Sequence, residues 1–202
     1  MPAELVVVTA IALQLLLPKR VTAGPNWLLP ALEGALLILL IFVAPQKLTS
    51  EHAGRRRLAL GTTAIVSIAN AISLVLLSRD LLHHNVSNGH ELIIAGVLIW
   101  LTNVLIFGLW YWEIDRGGPG RRAAGHDDVP DFLYPQMTDE RMAPGWRPQF
   151  LDYLYVSLTN ATAFSPTDTM PLTVTAKSLM GLQSIVSLVT LGLVVSRAVN
   201  IL

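Results

Sequence analysis

The sequence predicts an all-α polytopic membrane protein, with five transmembrane helices and one re-entrant half-length helix before the last of them. Three observations carry this. Hydrophobic residues make up 52% of the 202 and charged residues only 14%, against about 25% charged in soluble domains. Five apolar segments recur along the chain, and the mean hydropathy is +0.54. Finally, the apolar run Phe150 to Thr162 has 13 residues. As helix that is roughly 20 Å, too short for about 30 Å of bilayer hydrocarbon.

The segments follow in order. Leu5 to Leu17 is the first, ended by Pro18-Lys19-Arg20, and it spans only if residues from Pro2 join it. Trp27 to Ala44 is closed by Pro45, and Leu58 to Ser78 forms the third. Leu92 to Trp112 is the fourth; its terminal Trp110-Tyr111-Trp112 predicts an end at headgroup level. Leu172 to Val195 is the fifth and carries one charge, Lys177. The polar stretch Glu113 to Gln149, with Gly117-Gly118-Pro119-Gly120 and acids at Asp127, Asp128 and Asp131, reads as a loop rather than a domain. The chain therefore divides into a four-helix region (1–112), a polar loop (113–149), and a half-helix, turn and final span (150–202). No internal repeat suggests an inverted-repeat transporter. The N-terminus lacks the features of a cleaved signal, so its apolar stretch reads as retained.

Composition also excludes classes of function. Zero net charge gives no basic patch for nucleic acid. The absence of cysteine removes disulfides, thiolate metal sites and thiol catalysis. His83, His84, His90 and Glu91 fit no helix-borne zinc spacing. Ser165 lacks the glycines of a nucleophile elbow. No catalytic residue, metal or cofactor is expected, and the chain does not read as an enzyme.

Lys and Arg in the loops set orientation. With five spans, Lys47, Arg55, Arg56, Arg57, Arg116, Arg121, Arg122, Arg141 and Arg147 share a side with the N-terminus. Lys19, Arg20, Arg79 and Arg197 lie opposite. The count predicts a cytoplasmic N-terminus and a half-helix entering from the cytoplasm.

Polar chemistry concentrates after the half-helix begins. Thr159, Asn160, Thr162, Ser165, Thr167, Asp168 and Thr169 put hydroxyl, amide and carboxylate groups beside apolar helices. Non-helical backbone at membrane depth must be buried in protein or line a wet cavity. Pro166 favours such a turn. Asp168 or Thr169 is expected to cap the last helix, with Pro171 in its first turn. Asp152 suits the positive end of the half-helix dipole. Gln183, Ser187 and Thr190 share one face of the last helix, as Thr63, Ser67 and Asn70 do in the third segment. Either stripe makes interhelical hydrogen bonds or lines a water-filled path. Glu33, a carboxylate inside the second segment, is either an ion pair with Lys19 or Arg20 or a proton or ion site.

The stretch Thr162-Ala163-Phe164-Ser165-Pro166-Thr167-Asp168, followed by Thr-Met-Pro171, resembles the potassium-channel filter pattern T-T-V-G-Y-G-D-x-x-P without a gap. Thr162, Asp168 and Pro171 match by identity. The flanks resemble a pore helix and an inner helix, and the resemblance covers about the last fifty residues. The same region, with Asp152-Tyr-Leu-Tyr-Val-Ser157, also resembles an uncharacterised bacterial family of five-span membrane proteins. Ser165 and Thr167 stand where the filter has glycines, and Pro166 replaces its tyrosine. Glycine permits the backbone that aligns filter carbonyls, whereas a β-branched residue at positive φ is an outlier.

The resemblance implies a multi-pass protein of the bacterial inner membrane that forms a homotetramer in the lipid bilayer. The turn Thr162 to Asp168 would face the axis, and Thr159, Asn160, Gln183, Ser187 and Thr190 would be candidates for the lining. The expected activity is passage of ions or small polar solutes without strong potassium selectivity. The alternatives are a non-conducting scaffold or accessory subunit, and more weakly a proton-coupled transporter using Glu33.

Overall fold

The computed structural model describes residues 2–18, 21–22, 53–82, 89–125, 128–139, 141, 143–163 and 168–199. Its elements are α1 (Pro2–Leu15), α2 (Ala53–Leu82), α3 (Gly89–Ile114), a 3₁₀ turn (Asp115–Gly117) and α4 (Pro119–Ala123). β1 (Phe132–Leu133) and a second 3₁₀ turn (Pro135–Met137) come next, then α5 (Phe150–Ala163), β2 (Met170–Pro171) and α6 (Val174–Val199). Among the described residues, three stretches are long and apolar enough to cross a membrane: Arg56–Leu81, His90–Gly117 and Val174–Val199. A shorter apolar helix covers Leu5–Leu15. The second apolar segment, with Glu33, lies outside the described residues.

Helix α3 is the centre of the bundle: α1, α2, α5 and α6 all pack against it. Its sequence explains this, because apolar or small residues occur on every side of it and a helix hydrophobic all round is buried. Helix α1 runs antiparallel along α3. Val6 and Val7 cluster with Leu109 and Phe150, and Ala10 with Val66 and Ile106. Beyond the helix, Leu17 and Val21 cluster with Leu92, Ala95 and Ile99. Residues 6–18 and 21 thus cover α3 from one end almost to the other.

Helix α5 approaches α3 at Gly108, where an added Cβ would lie 3.3 Å from the Leu154 Cα. Many outward side chains of the bundle are apolar, among them Ile68, Val75, Ile94, Val97, Leu182, Ile185 and Leu188.

The 113–149 stretch contains short ordered elements, and it supplies Phe132 and Tyr134 to a core cluster with Phe107, Tyr111, Tyr153, Val156, Ala176 and Met180. Tyr111, in the aromatic cluster at the end of α3, is fully buried within the chain. Trp112 packs edge-on against Phe150 and Tyr153.

Candidate functional site: the half-helix and its anchor

Helix α5 has 14 residues, about 21 Å. Asp152 reaches back to accept the Gln149 N–H at 2.6 Å. This is the acidic half of a capping box, so the expected dipole role takes the form of a specific hydrogen bond. One face, Tyr153, Val156, Ser157, Asn160 and Ala161, is buried; Leu151, Tyr155, Leu158 and Thr162 point outward.

The buried face carries a closed hydrogen-bond network. Gln183 of α6 accepts from Tyr111 Oη at 2.5 Å and from Asn160 Nδ2 at 2.9 Å. Its Nε2 donates to Ser157 Oγ at 2.7 Å and to the Ser157 carbonyl at 2.9 Å. The Ser157 hydroxyl donates to the Val104 carbonyl, Asn160 also donates to the Met180 carbonyl, and Ser184 donates to Asn160 Oδ1. Lower on α6, Asn103 Nδ2 donates to Ser187 Oγ at 3.2 Å. Every polar atom of the Gln183 amide is matched, the condition under which a polar group survives burial.

Of the residues expected to line a path, Asn160, Gln183, Ser187 and Thr190 are therefore inside the chain. They face α3 and α5 or, for Thr190, bond the Val186 carbonyl of their own helix. Thr159 and Thr162 return their hydroxyls to helix carbonyls, those of Tyr155 and Leu158. In the other stripe, Thr63 and Ser67 bond their own helix, and Trp110 Nε1 donates to Ser67 across α3 and α2. Asn70 is buried. Ala163 is the last residue of α5, while Phe164, Ser165, Pro166 and Thr167 lie outside the described residues, as do His83 and His84. His90 is exposed. Among the described residues no group of three His, Cys, Asp or Glu could hold a metal.

A second polar cluster ties down the ends of the hairpin. Asp131 accepts the Leu172 N–H on its carbonyl at 2.8 Å and the Thr173 hydroxyl on Oδ1. Its Oδ2 accepts the Arg116 N–H at 3.1 Å, and its own N–H donates to Asp115 Oδ1 at 2.8 Å. Asp115, fully buried, accepts the Tyr153 hydroxyl on its other oxygen. The β1–β2 pair, Phe132 with Pro171 and Leu133 with Met170, extends this seam. Thr173 also caps α6 by accepting the Ala176 N–H. The cap thus falls at Thr173 rather than at Asp168 or Thr169, because Pro171 is held in β2.

Arg122 closes the cluster. Its Nη1 donates to the carbonyls of Trp112 and Asp115 at 2.8 and 2.6 Å. The guanidinium lies 4.1 Å from the Trp112 ring centroid and 5.2 Å from that of Tyr153, distances at which cation–π attraction operates. Burial lowers its pKa from the ordinary arginine value. Arg116 takes a left-handed φ of 50°, a costly conformation for a residue with a Cβ. The bond to Asp131 offsets part of that cost. Gly117 and Gly118, also at positive φ, complete the reversal that brings Arg122 back over Trp112.

Asp168 is exposed and lines an open cleft of about 310 Å³ with Tyr134, Gln136, Asp152, Tyr155 and Thr169.

Sequence reasoning missed Tyr111, Ser157, Asp115, Tyr153 and Arg122 as site residues. Ser157 and Asn160, three apart in an apolar run, were the available signal for the network. Lone carboxylates such as Asp115 have no periodicity to reveal them.

Comparison with known proteins gives no match: no family model, curated protein or solved structure is similar enough to place the chain.

Proposed function

We propose that this chain is a five-span membrane protein whose α5 and following turn form a re-entrant, pore-helix-like hairpin, entering and leaving the bilayer by one face. The observation that carries this is the Asp131 anchor. Leu172 and Thr173, at the exit of the hairpin, bond to Asp131. Asp131 bonds to Asp115, which holds Tyr153 in the first turn of α5. The two ends of the hairpin are therefore at one level. Eight residues, 164–171, reach at most roughly 27 Å when extended, enough to return along a helix of 14. Residues 6–18 and 21 lie along most of α3, which supports a crossing by the first segment and an N-terminus on the side of the 113–149 stretch.

In this reading four copies surround a pore at Thr162 to Asp168, and ions or small polar solutes pass with weak cation preference from Asp168. The network about Gln183 holds the hairpin to the final helix rather than lining the path. Flux from liposomes tests it. The wild type should pass monovalent cations, and Asp168→Ala should lose preference for them over anions. Equal preference in both removes the carboxylate role, and no flux in either removes conduction.

A second reading, a non-conducting scaffold, is favoured by the internal satisfaction of the Gln183 network. Removing the 113–149 stretch cannot separate the two, because that stretch carries Asp131, Phe132 and Tyr134. Val129 is 77% exposed, and Val129→Asp is the better probe: a scaffold using this surface loses its partner, and a pore keeps its flux.

A further inference from the structure

The cleft beside the anchor carries a separate inference. Its walls bring two carboxylates, Asp152 and Asp168, together with Gln136, Thr169 and the ring of Tyr155, and among the described residues no cationic side chain lines it. Tyr155 is 58% exposed, so its ring is available to a ligand. At the back stands Tyr134, only 3% exposed, whose hydroxyl is buried without a hydrogen-bond partner. Such an orphan asks for an explanation in a native fold. Burial and, after it, the charges of Asp115 and Asp152 help to keep its proton on.

We infer that this cleft binds a small organic cation bearing primary ammonium groups, of the diamine or polyamine class. Ammonium hydrogens suit carboxylate and amide oxygens, and a cation over a tyrosine face gains cation–π attraction. A bare metal ion fits less well, since no three acidic or imidazole groups converge among the described residues. The volume is at the lower end of small-molecule sites. The cleft lies within one chain, so the inference holds whether or not the hairpin surrounds a pore.

The test is calorimetric titration of the full chain, in nanodiscs of zwitterionic lipid, with spermidine and with putrescine. One saturable site per chain is expected, weakening as salt screens the charges. Asp168→Asn and Asp152→Asn should each weaken it roughly tenfold, about 1.4 kcal/mol, and Tyr155→Leu severalfold. Asn at 152 keeps an oxygen for the Gln149 N–H, so the cap of α5 survives, and thermal melts check the fold of each variant. No saturable binding to the wild type overturns the inference. So does binding by both Asn variants as tight as that of the wild type, or a site that takes calcium or magnesium chloride but neither amine.

Discussion

The Thr173 hydroxyl donates to Asp131 across 42 positions of sequence, and this contact fixes where the final helix begins. Hydrogen bonds to charged groups contribute about 1.5–3 kcal/mol each. Asp131→Ala removes the acceptors for Thr173 and for the Arg116 N–H, so it should destabilise the fold by about 3 kcal/mol. Asp131→Asn keeps one acceptor oxygen and should lose about half of that. Thermal unfolding in mild detergent checks the order, and equal stability of the two variants would count against the anchor.

The Gln183 amide joins three helices. Gln183→Ala leaves Tyr111, Asn160 and Ser157 without partners and should cost about 2–4 kcal/mol. Tyr111→Phe removes one donor and should cost about 1 kcal/mol. The double variant should fall short of the sum, because the two act through one network. Additive losses would mean that the bonds are independent.

Close approach at Gly108 is testable by contrast with Gly61. Gly108→Ala pushes a methyl against the Leu154 backbone and should destabilise by about 1–3 kcal/mol. At Gly61 an added Cβ meets nothing within 4 Å, so Gly61→Ala should be neutral or stabilising by up to about 1 kcal/mol. A stability scan of both decides whether α5 rests on α3 as described.

The sequence made the outline legible and left the fastenings hidden. Long apolar runs located α2, α3 and α6, although the helices extend beyond them because polar turns such as Arg55 to Arg57 are helical without being apolar. The start of α5 at Phe150 coincides with that of its apolar run. The roles of the polar residues were less legible: a stripe such as Gln183, Ser187 and Thr190 looks the same whether it faces water or another helix. Only the positions of Tyr111, Ser157 and Asn160 on neighbouring helices distinguish the two. Asp115 and Asp131 act through partners far away in sequence, and nothing local marks them.

Alkaline pH should loosen the anchor. Burial, its largest cause, raises the Tyr134 pKa above the ordinary value of 10.0, so the folded chain keeps a proton that the unfolded chain releases. Stability from this group is complete below about pH 10 and declines as pH rises further. Tyr134→Phe, which has no proton to lose, should show a shallower decline. Unfolding midpoints between pH 8 and 11 measure it, and identical profiles would contradict the assignment.

The re-entrant hairpin is tested most directly by cysteine labelling, for which a chain without cysteine is a ready background. Single cysteines at Thr138, Asp168 and Val199, all exposed, would be treated with a membrane-impermeant maleimide in oriented vesicles. With a re-entrant hairpin, Thr138→Cys and Asp168→Cys react from one side and Val199→Cys from the other. Reaction of Asp168→Cys from the side of Val199→Cys would mean that α5 and its turn cross the bilayer, contradicting the hairpin and the pore built on it.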